Sequence, residues 1–322
     1  MAGKIIWKGE VVSERASKSA GLSVLRPGVC STLQDLGRYG VAHHGLSQGG
    51  AMDLHAHCWA NKLLGNSAEC ATLEVAVGMV SLRAESDLLL AITGADMQAE
   101  VNGLPIGNWC SFRMQTGQTL ALKPAREGMR AYLAVLGGFQ SDLMWGSRST
   151  VVRNGMGSLL SEGDTLWVSG KTPDGLHHAA HVPSRYLPSY EDEIELRVME
   201  SCQAGDFSSD AMQEFYRSDF TVTPHADRMG MRLEGKSAVS GPQGIVSEGI
   251  ALGAIQVPAD GHPIVLLNDR QTLGGYPKLG VIARVDLPRL CQARPGTRIR
   301  FSPVSIEQAR QEWQDFCDYF GL

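Results

Sequence analysis

The run Asn268-Asp269-Arg270-Gln271-Thr272, then Leu273 and Gly274-Gly275-Tyr276-Pro277-Lys278, puts charge, amides and glycine directly after the apolar stretch Pro263–Leu267. Six other segments share this style. They are STLQDLGRYG with Gln34, Asp35 and Arg38, GLSQGGAMD with Ser47 and Asp53, and TGAD with Thr93 and Asp96. The rest are WGSRST with Ser147, Arg148 and Ser149, HADRMGMRLEG with His225, Asp227, Arg228 and Arg232, and VSEG with Ser247 and Glu248. Each alone reads as a turn, because Asp and Gly favour turns for backbone reasons. Together they hold the parts of a site for a carboxylate, carbamoyl or phosphate group. Arginine gives bidentate recognition, amides orient, and glycine lets backbone come close. Asp53 also stands where a helix begins, where free N–H groups could hold an anion or a first-turn carboxylate simply suits the dipole.

Other chemistries lack their residues. The chain has no GxxxxGK[ST] phosphate loop, no GxGxxG, no HExxH and no Met-Lys biotin-attachment motif. GLSQG has the spacing of a nucleophile elbow at Ser47, but no apolar strand precedes it. Seven cysteines with no CxxC pair read as reduced thiols, and no metal set is identified. A net charge of -5 argues against nucleic acid or an anionic membrane as partner, and no apolar run reaches the length of a membrane span. The N-terminus has no apolar secretory core, so a cytoplasmic location is expected.

The elements that position these clusters are mostly strands. Short runs rich in Val, Leu, Ile and Thr recur between turns, and 37 glycines and 14 prolines suit barrels or sandwiches. Two helices stand out. Met52, Ala56, Trp59, Ala60, Leu63 and Leu64 lie at helical spacing before Gly65-Asn66. Near the end, Ser305 is a plausible N-cap for a stripe of Ile306, Ala309, Trp313, Phe316 and Phe320. At 322 residues two domains are expected. The expected division is an extension over 1–22, a first domain over 23–170, a linker over 171–190 and a second domain over 191–322. His177, His178 and His181 in the linker read as solvated histidines. The halves echo each other. LGRYGV matches ADRMGM, TLEVAVGMVSL matches VSEGIALGAIQV with Glu74 and Glu248 in like places, and TGQTLAL matches PGTRIRF. Duplication is one explanation, and chance likeness among Gly-rich strands is the other.

Taken together, RPGVCSTLQDLGRYG, GLSQGGAMD, ITGADM, GSRST, RMGMRLEG and SEGIALGAIQVPADGHPIVLLNDRQTLGGYPKLG resemble the KipA family of 5-oxoprolinase C subunits, within the biotin-dependent carboxyltransferase family. The chain is also similar to the allophanate-hydrolase-subunit-2-like region of urea-carboxylating enzymes. The resemblance implies a mainly β fold of tandem cyclophilin-like β-barrel domains with a few short helices. It implies two partners, the KipI-like B and the A subunits of 5-oxoprolinase, with ATP used by the complex and the 5-oxoproline lactam hydrolysed to glutamate. Two alternatives stand beside this: a carboxyltransferase using biotin on a separate carrier, and a non-enzymatic regulator that binds a KipI-like kinase inhibitor. Many relatives read Ser-Asn where this chain has Ala226-Asp227.

The expected site takes Arg228 and Arg38 as anion clamps, with Gln34, Gln271 and Thr272 orienting the ligand. Gly274, Gly275 and Tyr276 complete the wall. Asp269, Glu248 and Asp53 serve as acid/base or ion-pair groups. On this expectation, replacing Arg228 by Ala abolishes activity and leaves the fold intact.

Overall fold

The computed structural model describes residues 18–169, 180–242 and 244–322. The first half wraps two antiparallel sheets around one core. In one sheet, Lys18–Pro27 pairs with Thr165–Ser169 on one side and Val80–Ala84 on the other. In the other, the order is Cys30–Gln34, Thr72–Ala76, Glu127–Val135, Leu88–Asp96 and Cys110–Met114. Val80–Ala84 alternates, burying Val80, Leu82 and Ala84 and leaving Arg83 outside, as a strand with one dry face must. Leu88–Asp96 is buried at every position but its last. The reason is helix α1 (Leu54–Leu63), which covers the second face with Ala56, Trp59 and Ala60 against Leu89, Ala91 and Tyr132. Gly94 sits where this strand bulges against Glu127–Val135. At φ +82° a side chain there would run into the Arg130 carbonyl.

The second half closes. Seven strands run Glu193–Glu200, Lys278–Ile282, Ala254–Gln256, Ile264–Leu266, Gly230–Gly235, Phe220–Ala226 and Arg298–Pro303, and the last pairs in parallel with the first. Closure leaves the barrel no open edge. Leu196, Val198, Leu233, Ile255, Val265, Leu279 and Ile299 fill its interior. Helix α2 (Ser209–Arg217) adds Phe215, stacked on Phe301 at 4.7 Å. A two-stranded ribbon, Glu248–Gly249 with Leu273–Gly274, and the short helix α3 (Leu287–Gln292) complete it.

The terminal helix expected from the sequence forms as α4 (Ile306–Phe320), and the Ser305 side chain accepts from Gln308 N–H as its cap. The helix belongs to the second half in sequence but packs on the first. Trp313, Phe316 and Phe320 cover Leu54, Cys58 and Ala68, while Ile306 stays exposed. The first strand already starts at Lys18, inside the segment read as an extension. Most of that segment, 1–17, lies outside the described residues, as do His177 and His178. Of the segment read as a linker, residues 180–190 are described and lie against the first half. Ala180 N–H donates to Ser111 Oγ and Val182 N–H to Trp109 O, and His181 bridges to Cys110 through backbone. Among the described residues no helix is long and apolar enough to cross a membrane.

Candidate functional site

The stretch 268–278 divides among three places. Its first two residues enter a polar seam between the halves. The loop Gly45–Asp53 of the first half lies against Leu267–Arg270 of the second. Gly49 N–H donates to Asn268 O at 3.0 Å, and Asn268 Nδ2 stands 3.1–3.2 Å from the carbonyls of Gly49, Gly50 and Ala51. Ser47 Oγ donates to the Asp269 and Arg270 carbonyls at 3.1 and 2.8 Å. Ser47 is thus a strut in the seam.

Arg228 is the centre of that seam. Its Nε and Nη2 donate to the two Asp269 carboxylate oxygens at 3.0 and 2.9 Å, its Nη1 to Glu74 at 2.6 Å, and Nη2 also to Gly50 O at 2.8 Å. Glu74 accepts in addition from Met52 N–H at 2.9 Å and Tyr132 Oη at 2.8 Å. Burial alone would raise the Glu74 carboxyl, but Arg228 and Arg130 outweigh it and hold the carboxyl below its usual range. Burial would lower Arg228, and Glu74 and Asp269 reverse that, keeping it firmly cationic. Asp269 goes the other way, raised by burial against the pull of Arg228. The guanidinium expected to clamp a substrate is already matched by two carboxylates of its own chain.

Asp53 occupies the same seam. It caps α1 by accepting from Ala56 N–H at 2.9 Å, and its other oxygen accepts from Gln292 Nε2 at 2.8 Å. Gln292 is fixed in turn by Met129 and Arg130 N–H, 2.7 and 2.8 Å from its Oε1. Arg130 bonds the Cys291 carbonyl and stands 3.9 Å from Glu74. Burial pushes the Asp53 carboxyl up to about 6 despite both hydrogen bonds. Gln34 likewise serves the fold. Its amide donates to Thr32 Oγ1 and Thr150 O, both at 3.0 Å, and accepts from Gly50 N–H at 3.2 Å.

The middle of the stretch faces a cleft. Arg270, Gln271 and Thr272, with Ile250, look across about 100 Å³ at Arg38–Ala42 and Leu46–Gln48 of the first half. Arg38 is only 2% exposed, donating to Ser149 O at 2.5 Å and Met144 O at 3.3 Å, with Nη1 unpartnered among the described residues. Arg270 is held by the Ile250 and Leu267 carbonyls and by Gln48 Oε1, at 3.0, 3.3 and 3.4 Å. Burial, helped by Arg284, brings its pKa down to about 10. Neither arginine forms an ion pair with a carboxylate among the described residues, which separates them from Arg228. Nearby Asp35 is consumed by Ser147 and Ser149 hydroxyls at 2.6 and 2.5 Å and by Gly37 and Arg148 N–H groups. Arg38 also borders an open basin of about 610 Å³ with Tyr39, Arg148 and Trp145.

The end of the stretch forms the ribbon over the barrel. Gly274 is there for space: a Cβ would stand 2.5 Å from Ile250 Cδ1 and 2.8 Å from Gln256 Nε2. Gly275 accepts from Ile245 N–H at 2.9 Å, and Tyr276 is exposed. Glu248 bonds Lys278 and accepts from Gln203 Nε2 at 2.7 Å. The expected residues therefore fall into a seam (Asp53, Gln34, Arg228, Asp269), a cleft (Arg38, Gln271, Thr272) and a ribbon (Glu248, Gly274, Gly275, Tyr276).

Sequence reasoning passed over Glu74, Tyr132, Arg130, Asn268, Gln292 and Lys278 as site residues. One signal was available: a glutamate inside the apolar run TLEVAV requires a buried partner. Its sequence echo Glu248 has a different setting, on the exposed ribbon rather than inside the seam.

Comparison with known proteins agrees across sequence and structure. Residues 44–303 match the model of the carboxyltransferase domain, subdomain A and B. The chain is 34% identical to the C subunit of 5-oxoprolinase from Escherichia coli over 93% of its own length and 96% of that protein's. It superposes on the solved structure of TTHA0988 with a TM-score of 0.81 at 34% identity, covering 91% of this chain and 58% of that one. It also superposes on the Kluyveromyces lactis urea carboxylase with a TM-score of 0.84 at 26% identity, covering 96% of this chain and 30% of that one.

Proposed function

The chain belongs to the carboxyltransferase-domain family, and from that premise we propose that it is the C subunit of an ATP-dependent 5-oxoprolinase, working with the B and A subunits. In the overall reaction the lactam C–N bond breaks, the ring nitrogen takes up a proton, and a hydroxyl from water ends on the former lactam carbon, giving glutamate. The observation that carries this reading is the cleft between the halves, where Arg38 and Arg270 form no ion pair with a carboxylate among the described residues and stand beside Gln271 and Thr272. 5-Oxoproline offers one carboxylate and one lactam. A guanidinium binds the first as a charge-assisted pair, and an amide and a hydroxyl can bond the N–H and C=O of the second. Arg228, Asp269 and Glu74 then act as the frame that ties the two walls together. No phosphate loop occurs in the sequence, so ATP handling falls to the partners in this reading, and the site of action is the cytoplasm.

The test is 5-oxoproline-dependent ATP hydrolysis by the complex reconstituted from all three proteins. A hydrogen bond to a charged group contributes about 1.5–3 kcal/mol. Arg270→Ala is therefore expected to lower kcat/KM by about 10- to 100-fold, chiefly through KM. A complex that assembles and keeps kcat/KM within twofold overturns the assignment.

A second reading draws on the urea carboxylase likeness, which spans nearly the whole chain: carboxyl transfer from biotin on a separate carrier to an amide or urea-like acceptor. The same cleft would take the carboxyl group. Transfer from free carboxybiotin to such an acceptor, with no lactam-dependent ATP hydrolysis, would select it.

A further inference from the structure

We propose that the mouth of the closed barrel is a binding site for a small carboxylate, in which the ligand takes Lys278 over from Glu248 and gives Gln256 the acceptor it lacks. Lys278 and Gln256 are direct neighbours across adjacent strands, so their side chains leave the same face of the barrel wall. Both are buried, and Gln256 Nε2 has no hydrogen-bond partner among the described residues. Buried amide donors are almost always paired, because a dry, unmade bond is costly. Gly274 lies directly over this one: a Cβ there would stand 2.8 Å from the amide nitrogen, so the ribbon that carries Glu248 is also what covers it.

The present partner of Lys278 is replaceable. Glu248 is 46% exposed and reaches in from the two-stranded ribbon, so leaving Lys278 returns its carboxylate to water at little cost. Gln203 braces the arrangement, its Oε1 accepting from Lys278 N–H at 2.9 Å while its Nε2 donates to Glu248. A ligand carboxylate keeps the ammonium neutralised with one oxygen and offers the other to Gln256. One cation and one amide suit a monoanion with two acceptor oxygens better than a phosphate, which recruits more charge. This place is built from other residues than the cleft of Arg38 and Arg270, and it does not depend on which lactam or amide the enzyme handles.

The side-chain NH₂ resonance of Gln256, assigned with the Gln256→Leu variant, reports on the site in nitrogen-15 NMR. Acetate, L-glutamate and 5-oxoproline are titrated in turn, with chloride at equal ionic strength as the control. The expected result is a saturable shift with at least one carboxylate and none with chloride. Glu248→Gln, which removes the internal competitor, should tighten the apparent Kd at least fivefold, and Lys278→Met should abolish the shift. Which carboxylate binds tightest identifies the ligand as a simple acid, an amino acid or a lactam acid. The proposal is overturned if neither wild type nor Glu248→Gln shows a saturable shift with any of the three. It is equally overturned if Glu248→Gln leaves the Kd unchanged. Should Lys278→Met fail to fold, the surface change Glu248→Gln decides the matter alone.

Discussion

Removing Arg228 should damage the fold before it reveals anything about catalysis. Arg228→Ala strands two carboxylates, Glu74 and Asp269, in a seam where the first is 3% exposed and keeps Arg130, at 3.9 Å, as its cation beside the Met52 and Tyr132 hydrogen bonds. Breaking a buried pair from one side costs about 3–5 kcal/mol, since the remaining charge has no compensation. At about 2–4 °C per kcal/mol for a chain of this general size, the expected loss in Tm is about 6–20 °C. The effect has a pH signature. In the wild type Glu74 is held low, so its stabilisation is present above the ordinary glutamate pKa and fades as pH falls through the folded value. Without Arg228, burial raises that carboxyl instead, and stability then falls as pH rises. The deficit at pH 8 should therefore exceed the deficit at pH 5. Differential scanning calorimetry at both values measures it, and the neutral triple variant Arg228→Met, Glu74→Gln, Asp269→Asn should recover most of the loss. A Tm within 2 °C of wild type at pH 8 refutes the argument, and with it the view of Arg228 as frame rather than clamp.

Two further outcomes follow from the same geometry. Asp53, pushed up to about 6, holds a proton in the folded state at pH values where the unfolded chain has lost it. Stability should therefore decline between about pH 4 and 6 by an amount on the order of 3 kcal/mol, and Asp53→Asn should flatten that slope in chemical denaturation curves, whatever it does to absolute stability. Gly94→Ala forces a side chain into the Arg130 carbonyl at φ +82°. It should cost about 3 kcal/mol or more, seen as a lowered urea midpoint, whereas Ala at the open, positive-φ Gly103 should cost far less.

Local features were the most legible in the sequence. The Ser305 cap and the Trp313, Phe316, Phe320 stripe determine α4 within a few turns of chain, and Asp53 announces the start of α1. The abundance of glycine, with short β-branched runs, pointed to the β architecture. The placement of charges was harder to read. Arg228 meets Glu74 across 154 positions and Gln292 meets Asp53 across 239, and no local pattern encodes such a pairing. Hence Arg228 and Arg38, which look alike in ADRMGM and LGRYGV, differ in the property that matters: one is neutralised by carboxylates and the other is held by carbonyls. The same limit hid Lys278, whose neighbour Gln256 is defined only by the closure of the barrel.

The lodging of α4 on α1 sets an order of events at the ribosome. The face of α1 carrying Leu54 and Cys58 is made well before its cover of Trp313, Phe316 and Phe320. Roughly 260 residues separate them, about 13–50 s of synthesis at 5–20 residues per second. Until the second half arrives the nascent first half carries an uncovered greasy face and a Glu74 that has Arg130 but not yet Arg228 beside it. Translation speed, or a chaperone standing in for α4, thereby becomes a determinant of how much of this protein a cell obtains in folded form.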